Sequence, residues 1–460
     1  MDEGRHRSEN NGGINSFSRV LPALLAGTLT PRELLERCLD RIAVRESEVK
    51  AFVVLNTEGA RAAADAATAR YRAGTPLSSV DGCPVGIKDI MDTYDLPTQM
   101  GSPVFKGWQP AYDAACVQAL RKGGAVIVGK TVTTAFACGA STATRNPHDT
   151  ARTPGGSSSG SAAAVGAGML PVALGTQTQG SLLRPAAYCS AVGFKPTYGV
   201  LPVQGVHPIS ATHDHLGVIG ATLDDTWRIA SHISLTQGCP GQPCLDGAAA
   251  EAPAAKKPRR LIRLYMRPWE EEVAPATRDA FEAFIDKLKS AGVEIIDRES
   301  NANIGEFERA LDGGYVERSI ELTTYEMKWP YEQYVERFGG LLDKRVLDRL
   351  ADAARMTPAH YTSLLADKQV MREHARKTLA GSDGFITLTA PGPAPVTIDH
   401  TGSRAYQVYA TFLGIPAFSL PLLTVDRMPL GVQLIGMAGA DGALAAIANW
   451  LTKTMETGNG

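Results

Sequence analysis

The 460-residue sequence has no long apolar run, no surplus of charge of either sign and few cysteines, and each shortage excludes something. No uninterrupted apolar stretch approaches the roughly 20 residues of a membrane-spanning helix. The N-terminal MDEGRHRSENNGG is polar and Gly-rich, without the apolar core of a signal peptide. A cytoplasmic protein that avoids membranes is therefore expected, with a disordered lead over residues 1–18. Lys and Arg number 46 against 48 Asp and Glu, a formal charge of -2. No basic field attracts a phosphate backbone, so nucleic acid is not an expected partner. Seven cysteines without a CxxC spacing do not make a disulfide framework. Cys239 and Cys244 sit close enough to pair in one loop, but free thiols fit better. No HExxH occurs, and His213 and His215, which flank Asp214, lack a third ligand cluster. Neither a metal nor another cofactor is expected.

What is present, at 44% hydrophobic content, suffices for a large core. Thr30-Pro31-Arg32-Glu33 supplies an N-cap, a proline at N1 and a capping-box Glu ahead of Leu34, Leu35, Cys38, Leu39 and Ile42, predicting a helix over 31–45. An Ala- and Arg-rich stretch predicts another over 58–73. From about residue 80, short β-branched runs (Val85–Ile87, Ala125–Val128, Val192–Phe194) alternate with glycine turns and helical segments, the pattern of an α/β sheet. The C-terminal FITLTAPG, IPAFSLPLL and PLGVQLIG read as strands returning to that sheet. Residues 237–260 are Pro/Ala-rich and then basic, a surface loop between two halves of one domain over 19–458. Residues 303–380 read as mainly helical and carry Tyr315, Tyr325, Trp329, Tyr331, Tyr334 and Phe338, which either line a pocket or pack a helical layer.

Chemistry concentrates in three segments. Pro154-Gly-Gly-Ser-Ser-Ser-Gly-Ser161 is dense in glycine and hydroxyls and leads into a small-residue helix. Gly175-Thr-Gln-Thr-Gln-Gly-Ser181 precedes Leu-Leu-Arg-Pro, and Val85-Gly-Ile-Lys88-Asp89 lies upstream. Alone, a Gly/Ser stretch is more often a linker; the two further elements raise it above that reading. A serine hydroxyl needs a base within reach, and lysine serves only when neutral, which burial after an apolar strand can arrange at a cost of roughly 4 kcal/mol.

In their order and in their separations of 69 and 24 residues these segments resemble the amidase signature family, and its short malonamidase-like bacterial branch. The resemblance continues through TRNPHDT, VGFKPTYG, HDHLGVIG, GIPAFSLP and PLGVQLIG. It implies a central mixed β-sheet covered by helices on both faces, and hydrolysis of an amide C–N bond, with aryl esters or carbamates open to the same acyl-transfer route. It makes Ser181 the nucleophile, Ser157 a relay after a cis peptide and Lys88 the base, with an oxyanion hole from the backbone N–H groups of Thr178, Gln179, Gly180 and Ser181. It implies that Ser158 and Arg184 bind substrate, although Arg184 reads equally well as a structural ion-pair partner. A homodimer is implied by the resemblance alone, and Asp89 reads as a hydrogen-bonded strand-end carboxylate.

Two positions depart from the family pattern. Gln179 stands where glycine is usual, and if the backbone there needs positive φ a side chain costs on the order of 1 kcal/mol. Ala135 stands where Glu is frequent, which predicts a missing polar contact near the site wall. The aromatic-rich helical region favours a bulky or aryl substrate, and Arg184 pulls toward a carboxylate. Two rivals remain: the glutaminase subunit of a tRNA-dependent amidotransferase, against which the short Lys88-to-Ser157 spacing argues, and a degenerate homologue that binds without hydrolysis. Gly124-Ala-Val-Ile-Val-Gly-Lys130-Thr131 matches the phosphate-loop pattern letter for letter. Its interior is a β-strand sequence and Val132, Thr133 and Thr134 follow where a helix should start, so ATP is not an expected ligand.

Overall fold

The computed structural model describes residues 16–239 and 241–457. Most of the expected lead lies outside the described residues; Ser16 to Ser18 are ordered, Ser16 capping the helix Phe17–Leu25 by accepting from Arg19 N. The helix predicted at 31–45 runs Pro31–Val49 and carries the full capping box. Its apolar stripe of Leu34, Leu35, Cys38 and Ile42 is buried. The second runs Thr57–Arg72, packed on the first through Ala60, Ala64 and Ala67.

Eleven strands form one sheet: β1 (Phe52–Leu55), β2 (Pro84–Lys88), β3 (Val126–Thr131), β4 (Val172–Gln177), β5 (Val192–Lys195), β6 (His215–Gly220), β7 (Arg260–Arg263), β8 (Glu294–Ile296), β9 (Phe385–Leu388), β10 (Ala417–Val425) and β11 (Met428–Ile435). Their order is β1-β3-β2-β4-β6-β5-β10-β11-β9-β7-β8. β2 runs parallel to both β3 and β4, whereas β4 and β6, and β10 with β5 and β11, pair antiparallel, so the sheet is mixed. The three C-terminal segments all return to it, as β9, β10 and β11. Helices cover it: Phe194 and Phe418 on adjacent strands stack 4.3 Å apart, with Trp227 of the helix Leu223–Thr236 against Phe194. Such aromatic pairs add about 1 kcal/mol beyond the area they bury.

Between the helix Leu223–Thr236 and β7, the described residues 237–239 and 241–259 form turns and irregular backbone. Cys239 and Cys244 are both free. Five helices, Ala302–Asp312, Tyr315–Glu326, Lys328–Phe338, Lys344–Arg355 and Pro358–Leu379, make up the 303–380 segment. Glu326 ties this layer to the loop before β6, accepting from Thr212 N at 3.0 Å and from the Tyr361 hydroxyl at 2.7 Å. Among the described residues no helix is long and apolar enough to cross a membrane, and no group of three or more His, Cys, Asp or Glu side chains is placed to hold a metal ion.

Candidate active site

Parallel pairing of β2 with β4 brings their C-terminal ends to one side of the sheet, Ile87 opposite Leu174. Lys88, last on β2, therefore lies beside the stretch that continues β4 through Thr178 to Ser181. Its ammonium nitrogen has no solvent contact and donates to Ser157 Oγ at 2.7 Å and to Thr176 Oγ1 at 2.8 Å. Burial pulls the Lys88 pKa down to about 7, against the opposing pull of the Asp214 carboxylate. A lysine so placed is in part a neutral amine at neutral pH.

Ser157 is delivered by the glycine-rich loop, where the Gly156–Ser157 peptide is cis. Gly155 takes φ +79°, a left-handed conformation that favours glycine. Gly160 lets the following helix, Ser159–Gly166, dock on the neighbouring backbone: a Cβ there would stand 2.1 Å from Ala51 O. Ser158 N donates to Ser181 O at 3.1 Å, joining the two serine segments. The Ser158 hydroxyl faces away from the cavity described below. It is fully buried and engages both backbone groups of Thr176 at 3.3 Å, which is not the position of a substrate-binding group.

The Thr178–Ser181 stretch is held from beneath. Gln177, buried at the end of β4, accepts from Leu182 N and Leu183 N at 3.1 and 3.0 Å and donates to Thr411 Oγ1. Thr411 in turn donates to Gln179 O. Thr178 Oγ1 donates to Asp214 Oδ1 at 2.6 Å, and Asp214 Oδ2 accepts from Ile209 N and Ser210 N. Burial raises the Asp214 pKa to about 6. Thus held, the backbone N–H groups of Thr178, Gln179, Gly180 and Ser181 donate to no acceptor among the described residues, and Ser181 Oγ likewise makes no hydrogen bond there. Four unengaged donors beside a hydroxyl form a nest suited to a developing negative charge.

These residues open on a cavity of about 360 Å³ lined by Ser157, Ser181, Thr178, Gln179, Gly180 and Arg184 and by residues from the helical segment. Arg184 is buried, but neither pairs with a carboxylate nor stands free among the described residues. Its guanidinium donates to Gly156 O at 2.6 Å, Thr401 Oγ1 at 2.9 Å and Gly402 O at 2.9 Å. Gln179 does not have positive φ, so its side chain carries no left-handed strain. Its Oε1 accepts from Arg404. Ala135 is off the cavity wall, which is formed instead by Ala137, Cys138 and Gly139.

Among the described residues no aromatic side chain lines this cavity. Tyr331 and Tyr334 pack on Phe136 and His207 behind the wall, Tyr325 stacks on Tyr361, Tyr315 packs edge-on to Tyr409 and Trp329 is 67% exposed. Trp329 apart, these helical aromatics pack in a layer, and the expectation that they line the cavity is not met.

The remaining sequence candidates are structural. Lys130, in the phosphate-loop look-alike, lies within β3 and is fully buried, donating to Met91 O, Pro97 O, Thr93 Oγ1 and Thr98 Oγ1. It pairs with Asp89 at 3.3 Å, and Asp89 also accepts from Gln99 N, a strand-end carboxylate as expected. His213 bonds Thr212 Oγ1 and His215 bonds His213 O, and burial holds both rings well below their usual range. Cys138, on the cavity wall, has its thiol pushed up to about 11 by burial, and Cys189 is enclosed with its thiol raised further. Sequence reasoning assigned no role in the site to Gln177, Asp214, Arg345, Arg349 and Arg404. The only signal for the two helical arginines was an i, i+4 spacing that any solvated helix face shows.

Comparison with known proteins gives the family. The chain is 31% identical over 466 residues to a glutamyl-tRNA(Gln) amidotransferase subunit from Chloroflexus aggregans, covering 92% of each chain. The peptide amidase of Stenotrophomonas maltophilia superposes with a TM-score of 0.80 at 25% identity, over 97% of both chains. Another amidase crystal structure superposes with a TM-score of 0.82 at 26% identity, over 95% of this chain and 99% of that one. The model of the Amidase family matches residues 33–445, and the chain therefore belongs to the amidase family, hydrolases acting on amide C–N bonds.

Proposed function

We propose that the protein hydrolyses a small amide through an acyl-enzyme on Ser181, with Ser157 as relay and Lys88 as base, and that aryl esters and carbamates enter by the same route. The observation that carries this reading is the fully buried Lys88, whose nitrogen sits 2.7 Å from Ser157 Oγ with its pKa drawn down to about 7. Neutral Lys88 takes the Ser157 proton while Ser157 takes that of Ser181, and Ser181 Oγ bonds to the amide carbon. The N–H groups of Thr178, Gln179, Gly180 and Ser181 hold the oxyanion, each such donor being worth roughly 3 kcal/mol in other hydrolases. Lys88 then returns its proton through Ser157 to the leaving nitrogen, the C–N bond breaks, and water releases the acid by the reverse relay. The one link not formed in the free protein, Ser181 to Ser157, is of the kind that tightens with substrate bound. The reading includes a cytoplasmic location and no cofactor. Labelling of purified protein by a fluorophosphonate at Ser181, with amide turnover lost in Ser181→Ala and Lys88→Ala, tests it; turnover that survives Ser181→Ala would overturn it.

The amidotransferase relative favours a second reading, a glutaminase component of a tRNA-dependent amidotransferase that works with partner chains. Steady amide hydrolysis by the purified lone chain favours the first reading; glutamine turnover appearing only with added partner chains favours the second.

A further inference from the structure

We infer that the substrate is an amide that also carries a carboxylate, held by Arg404 and Gln179 with Arg345 and Arg349 as an outer wall. The inference rests on Ser181 being the nucleophile and adds the substrate class.

Four guanidinium groups, Arg184, Arg345, Arg349 and Arg404, line the same cavity. One carboxylate shares the wall, Asp348, and both its oxygens accept from Lys344 Nζ at 2.7 and 2.8 Å. Among the described residues none of the four arginines forms an ion pair, although other enclosed arginines do: Arg70 with Asp81, Arg263 with Glu282. Like charges brought together without counter-ions raise the energy of the empty site, and an anion relieves it. The strain registers on Arg404, whose pKa falls to about 10, first from burial and then from repulsion by Arg349, Arg184 and Arg345.

The four differ in what they have left to give. Arg184 uses its terminal nitrogens on Gly156 O, Thr401 and Gly402, so it braces the serine loop. Arg404 gives one bond, to Gln179 Oε1. The other end of that carboxamide, Gln179 Nε2, is buried and has no acceptor, in a residue only 7% exposed on the cavity wall. An unpaired buried donor is costly to leave unmade, and here it stands next to a guanidinium with unused N–H groups. A carboxylate oxygen satisfies both. Gln179 is two residues before Ser181, so the anion sits a short spacer from the scissile carbonyl. The absence of aromatic lining argues the same way, toward a small charged substrate.

The test compares two small amides that differ in charge, succinamate and succinamide, on the whole protein. Fluorophosphonate labelling at Ser181 is read first and reports the nucleophile alone. Wild type should then favour succinamate in kcat/KM by at least about ten-fold, mainly through KM, with a preference that shrinks as salt is added. Arg345→Glu, at an exposed helical position, and Arg349→Glu should each reduce or reverse that preference. Glutamine, whose ammonium meets the same arginines, should be a poorer substrate than succinamate. Labelling together with equal or better turnover of succinamide overturns the inference, as does a preference untouched by both variants. Where labelling fails, the hydrolase reading falls instead, and calorimetric binding of succinate, expected in wild type and lost in Arg349→Glu, still decides the anion site.

Discussion

Asp214 and Thr178 are joined by a 2.6 Å hydrogen bond that fixes the start of the Thr178–Ser181 loop, and the same carboxylate works electrostatically on Lys88. Asp214 is thus a positioning residue for two parts of the site. In Asp214→Asn the carboxamide oxygen can stay on Ile209 N and Ser210 N only if its NH2 group faces Thr178 Oγ1 and reverses that hydrogen bond, and the Thr178 end of the loop shifts. Turnover should fall on the order of 100-fold, as small misplacements do. Loss of the negative charge also lowers the Lys88 pKa further, so the acid limb of the kcat/KM profile should move to lower pH. A merely structural role would leave that limb in place.

In the wild type, activity should rise with pH and level off above about 7, where Lys88 has become neutral. A profile of kcat/KM against pH checks this. Lys88→Ala should abolish the limb and cost roughly 10²- to 10⁴-fold in rate.

Burying Lys88 also costs stability, and the sign is fixed by linkage. Its folded pKa of about 7 lies below the unfolded 10.5, so between these values the unfolded chain binds more protons and stability rises with pH. Below about 7 the cost is complete, on the order of 5 kcal/mol at roughly 1.4 kcal/mol per pKa unit. Lys88→Met should therefore raise Tm by a few degrees near neutral pH while abolishing turnover, and the gain should shrink as pH approaches 10.5. Calorimetric scans at three pH values check it.

Lys130→Met should destabilise the fold by about 3 kcal/mol or more, because Asp89 then stays buried without its cation. Urea denaturation checks the loss. The wild-type protein should show no calorimetric binding of MgATP, since Lys130 points into the core from a strand.

Much of the fold was legible in the chain. The capping box at Thr30 to Glu33, the apolar stripe of the helix it starts, and the β-branched runs at 85, 126 and 192 are local signals, and local backbone chemistry realised them as read. Strand identity also disposed of the phosphate-loop look-alike, because Ala-Val-Ile-Val suits a pleated strand and not a phosphate-cradling turn. The aromatic residues of 303–380 fit a pocket wall and a packed layer equally in sequence, since a ring's hydrophobicity looks the same in a helical layer as on a cavity wall.

Residue type and order alone determined the three chemical segments, the family they resemble and the choice of Lys88, Ser157 and Ser181 as candidates. Tertiary structure decided the rest. Parallel pairing of β2 and β4 put Lys88 against Thr176 and Ser157, and the surrounding core removed the water that would have kept it charged. It turned Ser158 onto the Thr176 backbone and made Arg184 a brace for the serine loop. It also carried Arg345 and Arg349, more than 160 positions beyond Ser181, to the same cavity. Which charges share one desolvated space depends on contacts between distant segments, and no local sequence pattern encodes that.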